Sequence, residues 1–477
     1  MRKVYPLILG NMKKETRDYL TVKAPYDNQE VGQVSLAGEA EIELAIQKAV
    51  EAFEILKFMP VYQKEEILHQ VSLAIKARGE ELARIIALEG GKPITFAKIE
   101  VARCAELFAW AAEETKRFGG EIVPLDLDRI GENRMGINKR FPIGPVLAIT
   151  PFNFPLNLVA HKVAPALAVG NPIIIKPSPA TPITAIILGE IIAQTDLPEG
   201  SISVLPCKTA LAEKMVKDER IAMFTFTGSP KVGWYLKKEA GRKRVTLELG
   251  GNAALIVDSL KYKDFLLERA IIGGYYHAGQ VCISIQRIFI QESLYDTFLQ
   301  EFIDRVKRIP VGDPLDEKTI TGPLINKSSA DQVYEWIQEA VADGAKLLVG
   351  GERHSQSPCV ITPAVLTNTT PDMKVNSLEV FGPVVTIEPY EKFEDAIAMT
   401  NNSIYGLQAG VFTDDLSHAF YAYNHLDVGG VIINDIPTYR SDPMPYGGVK
   451  MSGCGREGIK YAMEEMTEGK FLALKYA

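Results

Sequence analysis

The stretch "GYYHAGQVCIS", Gly274 to Ser284, places a cysteine where small and apolar residues give way to a strand-like segment. Cys282 is one of five, with Cys104, Cys207, Cys359 and Cys454, scattered without C-x-x-C spacing. That pattern argues against a disulfide framework and against a zinc cage. The six histidines form no H-x-x-x-H pair, so no structural metal is expected. A thiol attacks only as its anion. From an ordinary pKa near 8.5 it needs about two units of depression, roughly 2.7 kcal/mol, before thiolate dominates at neutral pH. Taken alone, an isolated cysteine beside Gly-Gln is more often buried and inert.

A second stretch, "FTFTGSPKVG", feeds a strand into a Thr-Gly-Ser turn at Gly228 and Ser229 and then into a helix bearing Gly233. A turn without a side chain lets backbone approach a pyrophosphate, and N–H groups at a helix start favour an anion. The string "GCGREG", Gly453 to Gly458, matches G-x-G-x-x-G but has fewer than about 20 residues of chain after it. It reads as a turn, not a dinucleotide fingerprint.

These residues need a scaffold. From about Val146 to Val257, short β-branched runs alternate with amphipathic helices: "VLAIT", "PIIIK", "SISVL", "IAMFTF", "RVTLELG" and "AALIV" with helical stretches between them. This is the pattern of βαβ units on a parallel, doubly wound sheet. Thr181-Pro182 reads as an N-cap followed by proline at the first helical position, and Gly170 as a C-cap. Glu39 to Ala112 reads as mostly helical, an outer layer on the sheet. A second α/β block runs from about Lys263 to Asn434, with the boundary near Gly250-Gly251. Two lobes make a cleft, where ligands usually bind.

At 477 residues the chain is expected to hold two or three domains. Its 47% hydrophobic and 23% charged residues fit a globular protein, and its net charge of −8 argues against nucleic acid as the main partner. "MRKVYPLILGNMKK" lacks an apolar core of signal-peptide length, and no run reaches the roughly 18 apolar residues of a membrane span. A cytoplasmic enzyme that needs no membrane is the expectation.

With "TPFNFP", "KPS", "FTGS", "LELGGN", "GQVC", "EVFGP" and "PYGGVKMSGCGREG" in this order, the chain resembles the NAD(P)-dependent aldehyde dehydrogenase superfamily over nearly its whole length. The resemblance implies an α/β fold with a Rossmann-like doubly wound cofactor domain (1–118 and 140–249), a second α/β catalytic domain (250–435) and a small β oligomerisation arm (119–139 and 457–477). It implies Cys282 as the nucleophile that turns a planar carbonyl into a tetrahedral alkoxide. Asn153, with the Cys282 backbone N–H, would hold the oxyanion. Glu248 would activate water against the thioester, and relatives that pass the acyl group to coenzyme A generally lack this glutamate. It further implies Lys176 on the adenosine ribose, Gly228, Ser229 and Gly233 around the pyrophosphate, Glu379 on the nicotinamide ribose, and Phe381 and Phe152 beside the nicotinamide. A homodimer or homotetramer is implied as well.

The chain departs from the pattern at two places. Relatives that prefer NAD often carry a glutamate three residues after the lysine; Pro179 stands there, so the 2′-phosphate of NADP is not repelled. Val281 precedes the cysteine, where the non-phosphorylating glyceraldehyde-3-phosphate branch has a phosphate-holding arginine. Arg103 and Arg440 could still present a guanidinium to a small anionic or hydroxylated aldehyde, or serve as structural arginines. The C-terminal half most resembles the lactaldehyde-type or glyceraldehyde-type branch, which makes a small 2-hydroxyaldehyde such as lactaldehyde the leading substrate class. The alternatives are glyceraldehyde-3-phosphate, a semialdehyde, or acyl transfer to coenzyme A. With Pro179 in place, both NAD and NADP are expected to support turnover. A kcat/KM preference for NAD above about a thousandfold, roughly 4 kcal/mol, would contradict this.

Overall fold

The computed structural model describes residues 3–476. Its strands Val146–Ile149, Ile173–Lys176 and Met223–Thr227 are buried at every position. Strands buried on both faces demand a parallel sheet covered by helices. They form the centre of an eight-stranded sheet in the order Gly453–Cys454, Arg244–Glu248, Met223–Thr227, Val146–Ile149, Ile173–Lys176, Ile202–Val204, Leu7–Leu9, Met12–Lys14. The five middle strands are parallel; each outer strand pairs antiparallel with its inner neighbour. From Val146–Ile149 the chain steps outward in one direction, then returns to build Met223–Thr227 and Arg244–Glu248 on the other side. The crevice at such a reversal, at the carboxyl ends of the strands, is where doubly wound sheets take ligands.

The helix Asn157–Val169 is buried along its whole length, and Pro182–Ala193 nearly so. A helix apolar all round must be covered on both sides. Here the sheet lies beneath, and Val61–Ala77, Gly79–Gly90 and Ile94–Arg117 lie above. Two carboxylates from this outer layer satisfy the N–H groups that the inner helices leave open at their starts. Glu89 accepts from Ile183 and Thr184, both at 2.9 Å, and Glu100 from Leu156 at 3.0 Å and Asn157 at 3.1 Å. Thr181 does occupy the N-cap position, but its side chain makes no cap hydrogen bond; the distant Glu89 does that work. Gly170 ends its helix at φ 92°, and a Cβ there would lie 2.6 Å from the carbonyl oxygen of Leu56. Only glycine fits.

The second sheet has seven strands, in the order Lys346–Val349, Ala364–Thr367, Val384–Tyr390, Arg287–Gln291, Ala254–Val257, Gln408–Phe412, Gly430–Ile433. The apolar run "AALIV", read from sequence as continuing the first sheet, lies in this one, between Arg287–Gln291 and Gln408–Phe412. A short apolar strand looks the same in either sheet, and the Gly250-Gly251 pair carries the chain across. The strand Ala364–Thr367 escaped the sequence pattern altogether.

A three-stranded antiparallel sheet stands apart, with Arg134–Pro142 between Gly120–Pro124 and Thr467–Lys475. It leaves Ile122, Phe471 and Leu472 exposed. Within 457–477, the helix Ile459–Glu465 packs into the core of the first lobe and only 467–475 joins this sheet. Among the described residues, no helix is long and apolar enough to cross a membrane.

Under the loop Asn153–Leu156, Lys92 and Glu100 form an ion pair that is 1% exposed on both sides, and the Lys92 ammonium lies 3.5 Å from the centre of the Phe154 ring. Removing one member of a buried pair strands the other charge. Lys92→Met is expected to cost about 3–5 kcal/mol, read as an earlier urea transition; an unmoved transition would contradict the assignment.

Candidate active site

Three strand ends of the first sheet and two loops of the second lobe enclose one cavity of about 300 Å³. Phe152 and Asn153 follow Val146–Ile149, Gly228 and Ser229 follow Met223–Thr227, and Glu248 ends Arg244–Glu248. The second lobe contributes Cys282, Glu379 and Phe381. A smaller cavity of about 40 Å³ lies on the other side of the cysteine, lined by Arg103, Asn157, Val281, Thr438, Arg440 and Tyr446 among others. Cys282 lines both. It is therefore the point where a ligand in one cavity meets a ligand in the other.

The cysteine sits on a tightly held turn. His277 (φ 51°) and Ala278 (φ 55°) are left-handed without being glycine, as is Phe381 (φ 51°) across the cavity. Such conformations cost of order 1–3 kcal/mol each and need support. Gln280 supplies it: its amide nitrogen donates to the carbonyls of His277 and Pro323, both at 3.2 Å, and its oxygen accepts from Ile325 N–H at 2.9 Å.

The Asn153 side-chain nitrogen donates to the Gln280 carbonyl at 2.9 Å, which aligns it beside the turn. The second amide hydrogen remains to donate. The backbone N–H of Cys282 finds no acceptor among the described residues. Two donors thus converge near the sulfur, the arrangement an oxyanion needs.

Glu248 is 3% exposed, and neither carboxyl oxygen has a hydrogen-bond partner among the described residues. Burial, then the Glu457 charge, raises its pKa well above the usual carboxylate range. The sulfur was expected to be shifted downward, and the structure moves it the other way: burial pushes the Cys282 thiol up to about 12. The hydrogen bond with Tyr446 and the charge of Arg440 work against this, while Glu379 and Glu248 add to it. Desolvation outweighs the neighbouring cation, so the resting sulfur is a thiol.

Glu379 rests on glycine. Its carboxylate accepts from Gly251 N–H at 3.1 Å, and a Cβ on Gly250 would lie 2.1 Å from its other oxygen. Burial pushes it up to about 7 against that hydrogen bond. Phe152 and Phe381 meet edge to face at 5.8 Å. The buried hydroxyl of Thr227, also on the cavity wall, has no hydrogen-bond partner among the described residues. A cavity with bare backbone at Gly228 and Gly250, aromatic walls, a carboxylate and an unsatisfied hydroxyl fits the nicotinamide half of a dinucleotide.

Lys176 and Pro179 lie outside this wall, at and beyond the end of the neighbouring strand, in register with Ile149. Burial lowers the pKa of Lys176, and Pro179 is exposed. Ser229 caps the helix Pro230–Glu239 without using its side chain to do so. Gly233 does not reach the cavity. It is buried where a Cβ would lie 2.5 Å from the Leu249 side chain, so its smallness seats the helix on the sheet.

On the substrate side both arginines carry buried carboxylates. Arg103 holds Asp442 at 2.6 Å, and His161 approaches the same oxygen at 3.0 Å. Arg440 holds Glu457 at 3.0 Å, which Lys162 holds at 2.8 Å. Against its burial, Lys162 and Arg440 keep Glu457 down to about 2. Two cations on one carboxylate leave an excess of +1 beside the smaller cavity, and the buried Arg440 Nε has no acceptor among the described residues. Lys162, Asp442, Glu457 and Tyr446 were not singled out from sequence. Their partners lie far away in the chain, and no local pattern marks them.

The aldehyde dehydrogenase family model matches residues 12–472. The chain is 42% identical over 477 residues to a 3-sulfolactaldehyde dehydrogenase of Priestia aryabhattai, covering 99% of this chain and 98% of that one. Among solved structures it is similar to aldehyde dehydrogenase 21 from Physcomitrella patens in complex with the reaction product succinate. That match has a TM-score of 0.98 and 44% identity, and covers 100% of this chain and 99% of that one. It is also similar to a glyceraldehyde-3-phosphate dehydrogenase of Methanocaldococcus jannaschii complexed with NADP, with a TM-score of 0.92 and 37% identity over 97% of this chain and 100% of that one. Sequence motifs, double-sheet architecture and the cysteine between two cavities agree with these matches: the chain belongs to the aldehyde dehydrogenase family.

Proposed function

We propose that this enzyme oxidises a three- or four-carbon aldehyde bearing an anionic group at its far end to the carboxylic acid, with NAD or NADP as hydride acceptor. The observation that carries the reading is Cys282 on the wall between a cavity that fits the nicotinamide half of a dinucleotide and a small one with two arginines. When bound, the nicotinamide accepts a hydride from the substrate carbon.

The protein's part begins with the sulfur. Sγ of Cys282 loses its proton to solvent water and attacks the carbonyl carbon; the C–S bond forms as the carbonyl electron pair moves to oxygen. That oxygen is held by the Asn153 amide and the Cys282 backbone N–H. Losing one such donor typically costs about 10²–10³ in rate. Departure of the hydride leaves a thioester on Cys282. Glu248, whose raised pKa makes it a strong base once ionised, takes a proton from water, the hydroxide oxygen adds to the thioester, and the C–S bond breaks. The acid leaves and the sulfur is restored.

The substrate class rests on charge. The Arg440–Glu457–Lys162 cluster carries an excess positive charge, and Arg440 has a free buried N–H. Arg103 lines the same cavity from the opposite lobe. Sulfolactaldehyde, glyceraldehyde-3-phosphate and the aldehyde precursor of succinate each pair a short chain with a terminal anion. Lactaldehyde leaves the excess charge unanswered. The exposed apolar sheet of 120–142 and 467–475 suits a second copy of the chain, in a dimer or tetramer.

A panel of lactaldehyde, glycolaldehyde, glyceraldehyde-3-phosphate, succinate semialdehyde and 3-sulfolactaldehyde tests this. At least one anionic substrate is expected to exceed lactaldehyde in kcat/KM by about tenfold or more, roughly 1.4 kcal/mol, and Arg440→Leu to erase the difference. Equal or better use of lactaldehyde would refute the anionic reading. Cys282→Ala should form no reduced nucleotide. Glu248→Gln should accumulate acyl-enzyme by mass spectrometry, and lose the limb on which turnover rises with pH as this carboxyl ionises. Dependence on coenzyme A would point instead to acyl transfer.

A further inference from the structure

The Tyr446 hydroxyl lies 3.0 Å from Sγ of Cys282. The residue is 3% exposed, in a small apolar cluster with Val281, Ile283 and Leu407. Among the described residues the sulfur is the hydroxyl's hydrogen-bond partner, and a buried O–H requires one. The ring is fixed from two directions. Tyr446 N–H donates to the Glu457 carbonyl at 3.0 Å and its own carbonyl accepts from Glu457 N–H at 2.7 Å. The Arg440 guanidinium lies over the ring, 3.8 Å from its centre.

We propose that Tyr446 positions and tunes the Cys282 sulfur, donating a hydrogen bond that favours the anion and aims it toward the smaller cavity, while Arg440 on the ring makes the hydroxyl a stronger donor. This rests on the reading of Cys282 as the nucleophile. A phenylalanine would fill the apolar cluster as well; only the hydroxyl reaches the sulfur.

The direction follows from the groups that face the sulfur. Glu379 and Glu248 oppose the anion, Arg440 and the Tyr446 hydrogen bond favour it, and Tyr276 lies beside it. Burial, then the Cys282 charge, holds the Tyr446 phenol well above its ordinary pKa, so it stays protonated and donates to a thiolate. Hydrogen bonds to an ionised acceptor are roughly twice as strong as neutral ones, so the bond stabilises thiolate over thiol. It also makes the anion less nucleophilic, by about 0.4–0.5 of the change in pKa. Below the thiol pKa the population effect wins. One unit of lowering gives about three- to fourfold faster reaction.

The test is the rate at which iodoacetamide alkylates Cys282 in the full-length enzyme, followed on the peptide that contains it, between about pH 6 and 9.5. Tyr446→Phe is expected to slow alkylation about three- to fourfold across this range. Replacing Tyr446 alone with 3-fluorotyrosine, a more acidic phenol of nearly the same size, is expected to speed it. A role limited to packing would not give these opposite responses. A folded Phe enzyme alkylated at the parent rate, or a fluorinated enzyme no faster than the parent, overturns the proposal. If the Phe enzyme does not fold, the fluorinated one decides. Alkylation needs no turnover, so failure here with reduced nucleotide still formed is distinct from failure of the proposed reaction.

Discussion

A carboxylate taken out of water has to be paired, and the way Glu457 is paired sets the geometry of the whole substrate side. Its two cations come from different elements: Lys162 from the inner helix of the first lobe, Arg440 from the loop that follows the last strand of the second. Its backbone exchanges two hydrogen bonds with Tyr446. One buried charge therefore fixes a guanidinium above a phenol and the phenol against the sulfur. The same charge disfavours ionisation of Glu248, keeping that carboxyl poised as a weak acid. Replacing Glu457 would alter charge, stacking and base strength together.

Around this fixed point the two lobes contribute unlike things. The first offers strand ends, where the chain reversal opens a crevice and glycines let a ligand lie against backbone. The second offers turns in left-handed conformations, at His277 and Ala278, held by the buried Gln280 amide, and at Phe381 across the cavity. Strain on this side is paired with many hydrogen bonds, so the cysteine turn is stiff. A stiff turn suits a sulfur that must meet one carbonyl face.

The sequence exposes those parts of this arrangement that are local. Strand runs such as "VLAIT" and "PIIIK", the Gly170 cap and the motifs around Asn153, Glu248, Cys282 and Glu379 are all written in adjacent residues. What stayed hidden depends on distance. Lys162 and Glu457 are 295 positions apart, Cys282 and Tyr446 164, and no periodicity connects them. Gly233 illustrates a subtler limit: its place after a phosphate-type turn suggested a ligand, whereas its lack of a side chain serves the contact with Leu249. The ionisation of Cys282 is hidden for a related reason, because desolvation is a sum over neighbours that composition does not reveal. The run "AALIV" could belong to either sheet until pairing was known.

The first lobe is not finished by its own half of the chain. Its edge strand Gly453–Cys454 and the helix Ile459–Glu465 come from beyond the second lobe, which is inserted between them and the strand Arg244–Glu248. During synthesis, where domains generally form in the order they emerge, the dinucleotide lobe must wait with an open edge and a gap in its core until residues 453–466 leave the ribosome. Glu457 arrives in that same segment. Competence for chemistry and closure of the fold are thus reached in one event, and a chain released early would lack both.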